Sequence, residues 1–399
     1  MHKKFYRKIL KNGMTLIFEE RDLPIVSVGI AVRYGGVNEP LSERGIAHFI
    51  EHMLYKGTKN RTSKQIPQEI EKNGGVMNGF TDEQITAFWC KMPSDKLHIA
   101  LDVLSDMVKS PLFDAKELEK ERKVIFEEMK MRKDDPMQYA FDEIQCLLYK
   151  NPLGTPIVGT YESMNSVDRK KMLKKFREVY RPGNMILCVV GQADFAGLVK
   201  FAEKNFRKEK GKIKKQKVAL KNGYKIETRG GIDQANIVLA FHSPLTTNKK
   251  IYAAKVLIAI MADGMSSRLF REIRAKRNLA YSVLGDVTAN KEFSFSYVYA
   301  GAMKENLEKI KKIILDEFKK VSEKLTKKEL EATQNQLIGN YRISIESSEG
   351  QMNRLLLSEI DGKVKEFYEF EKNIRAVKLK DVKKLAKIKK YSFFALVPE

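Results

Sequence analysis

Apolar and polar positions along the chain fall into a pattern that occurs twice. KNGMTLIFEERDLPIVSVGIAV begins at Lys11 and KNGYKIETRGGIDQANIVLAF begins at Lys221, 210 residues later. Each reads as an NG turn, a strand, a short polar break and an apolar strand. DAKELEKERKVIFEEM carries KELE from Lys116, and TKKELEATQNQLIGNY carries it from Lys328, 212 residues on. Both predict helices, started by Asp114 and Thr326 with an acidic residue three positions later. The copies also end alike, each with a basic amphipathic helix and an apolar strand, from Val167 and from Val377, again 210 apart. Three matches at nearly one offset argue for two copies of one unit.

Within the first copy the pattern predicts two strands, helices over about 45–56 and 63–73, and a strand over 76–92. Further helices follow to about residue 180, and then a final strand. Strands and helices are grouped and do not strictly alternate. That favours an α+β class, each copy a largely antiparallel sheet covered by helices on one face. The expected organisation is a domain at 1–205, a lysine-rich linker at 206–221 and a second domain at 222–399.

Composition narrows the class. A chain of 399 residues is too long for one core and long enough for two without staples. Cys90, Cys146 and Cys188 lie in apolar runs and are odd in number, which points to reduced thiols and a cytoplasmic location. No run of eighteen apolar residues exists, so neither secretion nor membrane insertion is expected. The net charge of +23 is mostly lysine spread along helix faces, without the aromatic and glycine interleaving of a single-strand binder. It reads as a solvated surface, and no nucleic-acid partner is expected. Neither a glycine-rich phosphate loop nor a nucleophile elbow is present, which leaves ATP use and serine chemistry unsupported.

The chain has five histidines, and two stand four apart in GIAHFIEHMLYKGT with a glutamate between them. On a helix, His48, Glu51 and His52 share one face. Two imidazoles need a further ligand for a catalytic zinc, which takes three protein donors and keeps a fourth position open. The ELEKERKVIFEEM helix offers candidates: Leu118, Glu121, Ile125 and Glu128 form one stripe that mixes apolar residues with two carboxylates. Acids on the inner side of a helix are costly unless paired or bound to metal. His2, His98 and His242 have no ligand-like companions, and Trp89 reads as a core residue.

HFIEH followed by a glutamate 76 residues after the second histidine resembles the inverted zinc motif of the pitrilysin family, which includes insulin-degrading enzyme and the mitochondrial processing peptidases. GGVNEP, HMLYKGT, NGFTDEQITAFW and ERKVIFEE extend the resemblance, which covers the whole chain. It implies that His48, His52 and Glu128 bind zinc, that Glu51 is the general base and that Glu121 orients the site. The resemblance also implies that Asn78, Gly79 and Phe80 of the NGFT segment pair with substrate as an edge strand, with Gly79 where alanine is usual.

The second copy has Asn340 where Glu128 would repeat, so it cannot hold the same site. Its Arg274 and Tyr281 match the family's pair that faces the zinc across a chamber, with Asn278 where many relatives have glycine. The implied assembly is a homodimeric clamshell in which each chain is half of a peptidase chamber. Zinc from one subunit meets Arg274 and Tyr281 of the other, and unfolded or short peptides are cleaved. The alternative is a non-catalytic or partner-dependent peptide-binding subunit of a processing complex.

Overall fold

The computed structural model describes residues 4–211 and 213–399; His2, and Lys212 of the lysine-rich stretch, lie outside them. The chain forms two compact units, one of residues 1–129, 156–217 and 343–367, the other of residues 130–155, 218–342 and 368–399. No helix among the described residues is long and apolar enough to cross a membrane.

The first unit holds a six-stranded sheet of β1 (Phe5–Ile9), β2 (Thr15–Glu20), β3 (Ile25–Val32), β4 (Val76–Thr81), β5 (Thr86–Pro93) and β6 (Met185–Gly191). Their order is β1-β2-β6-β3-β5-β4, and only the β2–β6 pair is parallel. The second unit holds β7 (Tyr224–Arg229), β8 (Ala235–His242), β9 (Ala280–Ala289), β10 (Ser294–Ala302) and β11 (Ser392–Pro398). Their order is β7-β11-β8-β10-β9, again with one parallel pair, β7–β11. Strand for strand, this second sheet repeats β2-β6-β3-β5-β4. The sequence repeat is thus a repeat of sheet topology, in the mainly antiparallel α+β class expected.

In chain order the helices are α1 (Ile46–Leu54), α2 (Gln65–Glu71), α3 (Leu97–Lys109), α4 (Ala115–Asp134) and α5 (Pro136–Leu148). There follow α6 (Tyr161–Asn165), α7 (Arg169–Val179), α8 (Phe195–Asn205), α9 (Ile251–Ala262), α10 (Leu307–Lys324), α11 (Lys327–Ser344), α12 (Ser348–Ile360), α13 (Phe370–Arg375) and α14 (Leu379–Leu385). The caps read from sequence are in place. Asp114 Oδ1 accepts from Lys116 N at 2.8 Å, and Thr326 Oγ1 accepts from Glu329 N at 3.2 Å.

Expectations about the strand at 76–92 and about the cover of the sheets need correction. The strand expected over 76–92 is a hairpin, because the polar quartet Thr81-Asp82-Glu83-Gln84 turns the chain and Asp82 N bonds Ile85 O at 2.8 Å. Helices also cover both faces of each sheet, not one. In the first unit, Val26, Val28, Ile30 and Val32 of β3 join the core made with Ala100, Val103, Leu104 and Met107 of α3. The other face of β3 meets α12: Ser27 Oγ lies 2.8 Å from Ser348 Oγ, and a Cβ on Gly29 would come within 3.0 Å of Met352 Sδ. Arg7 and Arg33 of this unit bind Glu359 of α12, both at 2.7 Å.

In the second unit the corresponding cover is α5. Tyr139 donates to Glu227 Oε2 at 3.0 Å, and Phe141 packs against Tyr297 with ring centres 5.0 Å apart. The helices α5 and α12 are both 13 residues long, and their starts, Pro136 and Ser348, differ by the same offset as the two KELE segments. Each therefore serves the sheet built from the other copy's strands. The compact units consequently differ from the contiguous halves 1–205 and 222–399, since a repeat reveals equivalent elements but not which sheet each one covers.

Residues 207–211 and 213–219 of the expected linker carry no helix or strand. Cys90 and Cys188 are buried, Cys146 is half-buried, and none forms a disulfide. Trp89 is half-buried, not core: it sits on β5 beside the edge strand β4, opposite Gly29 and Asn78, where packing ends.

Candidate metal centre

The helix that carries the histidines begins at Gly45, whose φ of +93° and contact distance leave no room for a side chain: a Cβ there would stand 2.7 Å from Val158 O. Its first-turn N–H groups are met by Glu39, which accepts from Gly45 N at 2.8 Å and Ala47 N at 2.7 Å. A carboxylate there also favours the positive end of the helix. Glu39 lies 3.8 Å from Arg44, and the Arg44 guanidinium forks onto Glu83 at 3.0 and 2.7 Å. All three side chains are buried. Glu83 follows β4 by two residues, so one buried ionic group fixes both the start of α1 and the end of the neighbouring edge strand.

On α1, Ile46, Phe49, Ile50 and Met53 point into the core. His48 and His52 look the other way, toward α4. His52 Nε2 lies 3.2 Å from His48 Nε2, and Glu128 Oε2 lies 3.4 Å from His48 Nε2 and 3.7 Å from His52 Nε2. Four donors set tetrahedrally about 2.0–2.1 Å from a zinc ion are separated by about 3.3–3.4 Å. The three donors thus fit the edges of such a site, with imidazole and carboxylate chemistry suited to zinc and one corner left over. Among the described residues this is the group of His, Cys, Asp and Glu able to hold a metal.

The remaining groups arrange these donors. Glu121, nearly buried on α4, accepts from His52 Nδ1 at 2.9 Å and pairs with Lys56 Nζ at 2.6 Å. That bond fixes the His52 ring so that Nε2 faces the other donors. Burial raises the pKa of Glu121, but its bonds from His52 and Lys56 outweigh burial and hold it below the usual carboxylate range. For His52 burial acts downward and is outweighed by the hydrogen bond to Glu121 and by the surrounding carboxylates, so the net shift is upward. Glu51 is raised chiefly by burial and further by the charge of Glu128, against a bond from Thr81 Oγ1 to its Oε2 at 2.6 Å.

Sequence reasoning thus placed His48, Glu51, His52, Glu121 and Glu128, and the structure brings all five together. Thr81, Lys56 and the Glu39–Arg44–Glu83 group were missed. Their signals were faint: Thr81 lies two places from Gly79 and so on the same face of β4, and Lys56 is four residues from His52. Asn78, Gly79 and Phe80 lie on β4, which forms the outer edge of the first sheet. Asn78 is exposed, and its Oδ1 accepts from Gly79 N at 2.8 Å.

Arg274 and Tyr281 belong to the second unit. Phe270–Ala275 winds as a π-helix with the Arg274 guanidinium 5.1 Å from the Phe270 ring centre, and Tyr281 lies on the edge strand β9 with its side chain exposed. Asn278 between them has φ +54°, a left-handed turn that asparagine tolerates nearly as well as glycine. His98 is exposed on α3, and His242 lies 3.0 Å from Lys221 O.

Comparison with known proteins bears on this arrangement. The family model for insulinase (peptidase family M16) matches residues 16–161, and that for the peptidase M16 inactive domain matches residues 166–337. The chain is 30% identical over 387 residues to the uncharacterized zinc protease YmxG of Bacillus subtilis, covering 96% of this chain and 94% of that one. It is 30% identical to an uncharacterized zinc protease of Streptomyces coelicolor, covering 89% and 80% of the two chains. Among solved structures, a protease from Helicobacter pylori superposes with a TM-score of 0.91 at 22% identity over 99% of this chain and 100% of that one. The peptidase M16 inactive domain from Pseudomonas fluorescens superposes at 0.89 with 20% identity over 100% and 99%. These structures share its fold. With sequence likeness running along nearly its whole length, the chain belongs to the insulinase (M16) peptidase family.

Proposed function

We propose that the chain is a zinc-dependent endopeptidase acting on unfolded or short peptides. The observation that carries this reading is the set of three donors, His48, His52 and Glu128, spaced for one ion beside a glutamate of the same helix. Zinc held by them supplies Lewis acidity that polarises a scissile carbonyl and makes water easier to deprotonate. Glu51, oriented by the bond from Thr81 to its Oε2, takes the proton of the attacking water at Oε1 and returns it to the leaving amine. Burial supports this role by raising Glu51 toward the working pH. Glu121 keeps His52 in the tautomer that presents Nε2.

Substrate adds as a strand along β4, next to Asn78, Gly79 and Phe80, where main-chain bonding gives affinity with little sequence preference. Arg274 and Tyr281 suit the carbonyl and the developing oxyanion, and they serve the zinc site of a second copy in a closed homodimeric chamber. A cytoplasmic location, reduced thiols and the absence of nucleic-acid or membrane partners belong to the same proposal.

The test is hydrolysis of quenched, unstructured peptides by zinc-loaded protein beside Glu51→Gln. The expected result is cleavage by the wild type and loss of at least a hundredfold in the variant, with zinc still bound. A zinc-loaded wild type that cleaves no peptide sinks the peptidase reading in favour of a peptide-binding subunit. Sedimentation showing a fully active monomer removes the shared-chamber part.

A further inference from the structure

Glu51 on α1 and Tyr55, the residue that caps its C-terminal end, stand one turn apart, and both face β4 at Gly79. A Cβ built on Gly79 would meet Tyr55 Oη at 2.8 Å, Ala87 O at 3.1 Å and Glu51 Oε1 at 3.2 Å. The first of these distances is shorter than side chains tolerate. The phenolic oxygen therefore occupies, in part, the space that any side chain at position 79 would need. Its distance to Glu51 Oε1 is no greater than the sum of their two separations from that point.

The phenol is held there with nothing else to do. Its ring lies between helix and sheet, 6.0 Å from the ring of Phe88, the strand partner of Gly79. Its oxygen is buried and makes no hydrogen bond among the described residues. A buried hydroxyl without a partner is unfavourable, so one that persists calls for an explanation. Burial first, and the charge of Glu51 second, raise its pKa, so it stays a proton donor. Across the carboxylate, Thr81 already holds Oε2 at 2.6 Å.

We propose that Tyr55 is a positioning residue for Glu51, matched to Gly79: the glycine leaves open the space in which the phenolic O–H reaches Glu51 Oε1. The terminal torsion of a glutamate is a broad rotor, and it is the motion by which Oε1 would meet the phenol. Held by Thr81 at one oxygen and Tyr55 at the other, its plane is fixed, and a second lone pair on Oε1 remains for the proton of water. The positioning role rests on the peptidase reading above, whereas the match between Tyr55 and Gly79 stands on packing alone.

Three variants test it: Tyr55→Phe, Gly79→Ala and the double replacement, each with zinc and metal-free. Tyr55→Phe is expected to lower kcat about 10–100-fold, the worth of one hydrogen bond to a charged group, with KM and zinc affinity unchanged. Gly79→Ala is expected to lower both kcat and the melting temperature of the metal-free protein. Adding Tyr55→Phe to it restores the melting temperature, because the oxygen that met the new methyl is gone, but leaves kcat at or below that of Tyr55→Phe.

Wild-type kcat in Tyr55→Phe, or a loss confined to KM or zinc affinity, overturns the positioning role. A melting-temperature drop from Gly79→Ala that is equal with and without the Tyr55 hydroxyl overturns the match. A wild type that cleaves nothing removes the peptidase reading and the positioning role with it, and the metal-free melting temperatures still decide the match.

Discussion

Glu121→Ala takes away the acceptor that His52 Nδ1 meets at 2.9 Å and, with it, the partner of Lys56 at 2.6 Å. Without that acceptor the His52 ring is free to turn, and its proton no longer has a preferred nitrogen. A hydrogen bond to a charged group contributes about 1.5–3 kcal/mol. If that energy is spent on orienting His52, its loss weakens zinc binding by about 10–100-fold, the range found for outer partners of metal ligands. Glu121→Gln keeps an oxygen that accepts from Nδ1 but loses the charge, so a fall of about tenfold is expected. Lys56→Ala leaves the His52 bond intact, and Lys56 is partly exposed, so zinc affinity stays within about twofold. Competition with a zinc chelator of known affinity measures all three. Affinities of both Glu121 variants within twofold of wild type would refute the orienting role and reduce the contact to a charge pair.

Chelation of zinc from the wild type is expected to lower its melting temperature, since an ion present at a thousand times its Kd stabilises by about 4 kcal/mol. His48→Ala and His52→Ala, read by calorimetry, then show no response to the chelator. Glu83→Gln takes from the buried Arg44 the carboxylate it forks onto while Glu39 stays 3.8 Å away, and is expected to cost about 3 kcal/mol in urea unfolding of the metal-free protein; a cost under about 1 kcal/mol contradicts the tie between α1 and the end of β4. Glu359 is pushed up by burial but held below the usual carboxylate range by Arg7 and Arg33. Its contribution is therefore full above the unfolded pKa of about 4.3 and disappears as pH falls through the lower folded value. The stability gap between wild type and Glu359→Gln narrows as pH falls below about 5 and on through the lower folded value, and a gap independent of pH counts against it.

The zinc-type constellation was legible because it depends on helix periodicity. His48, Glu51 and His52 need only one turn of α1, and Glu121 and Glu128 need two turns of α4. Strand identity was legible from the KNG repeat and its apolar runs. Long-range choices were harder. IVSVGIAV of β3 and MILCVVG of β6 are apolar without alternation, which is the mark of a strand buried on both faces, yet nothing in them names the helix that supplies the second cover. The Glu39–Arg44–Glu83 group was hidden for another reason. Charged residues in a glycine-rich stretch read as surface loop, and their burial depends on being brought together by the fold.

The exchanged helices bear on how the protein is made. The first sheet has all its strands once residue 191 has been synthesised, but the helix that shields its second face comes from 343–367. During translation that face, with Gly29, Ser27 and the adjoining strands, stays open while the second unit is being built. Domains ordinarily fold as units from the N-terminus onward. Here neither half is a candidate for independent life, because each cut at the linker strips both sheets of one helix at once. A truncated chain ending before α12 presents a bare apolar sheet to solvent and is a target for chaperones or for aggregation. The two copies of the repeat therefore depend on each other to complete their folds.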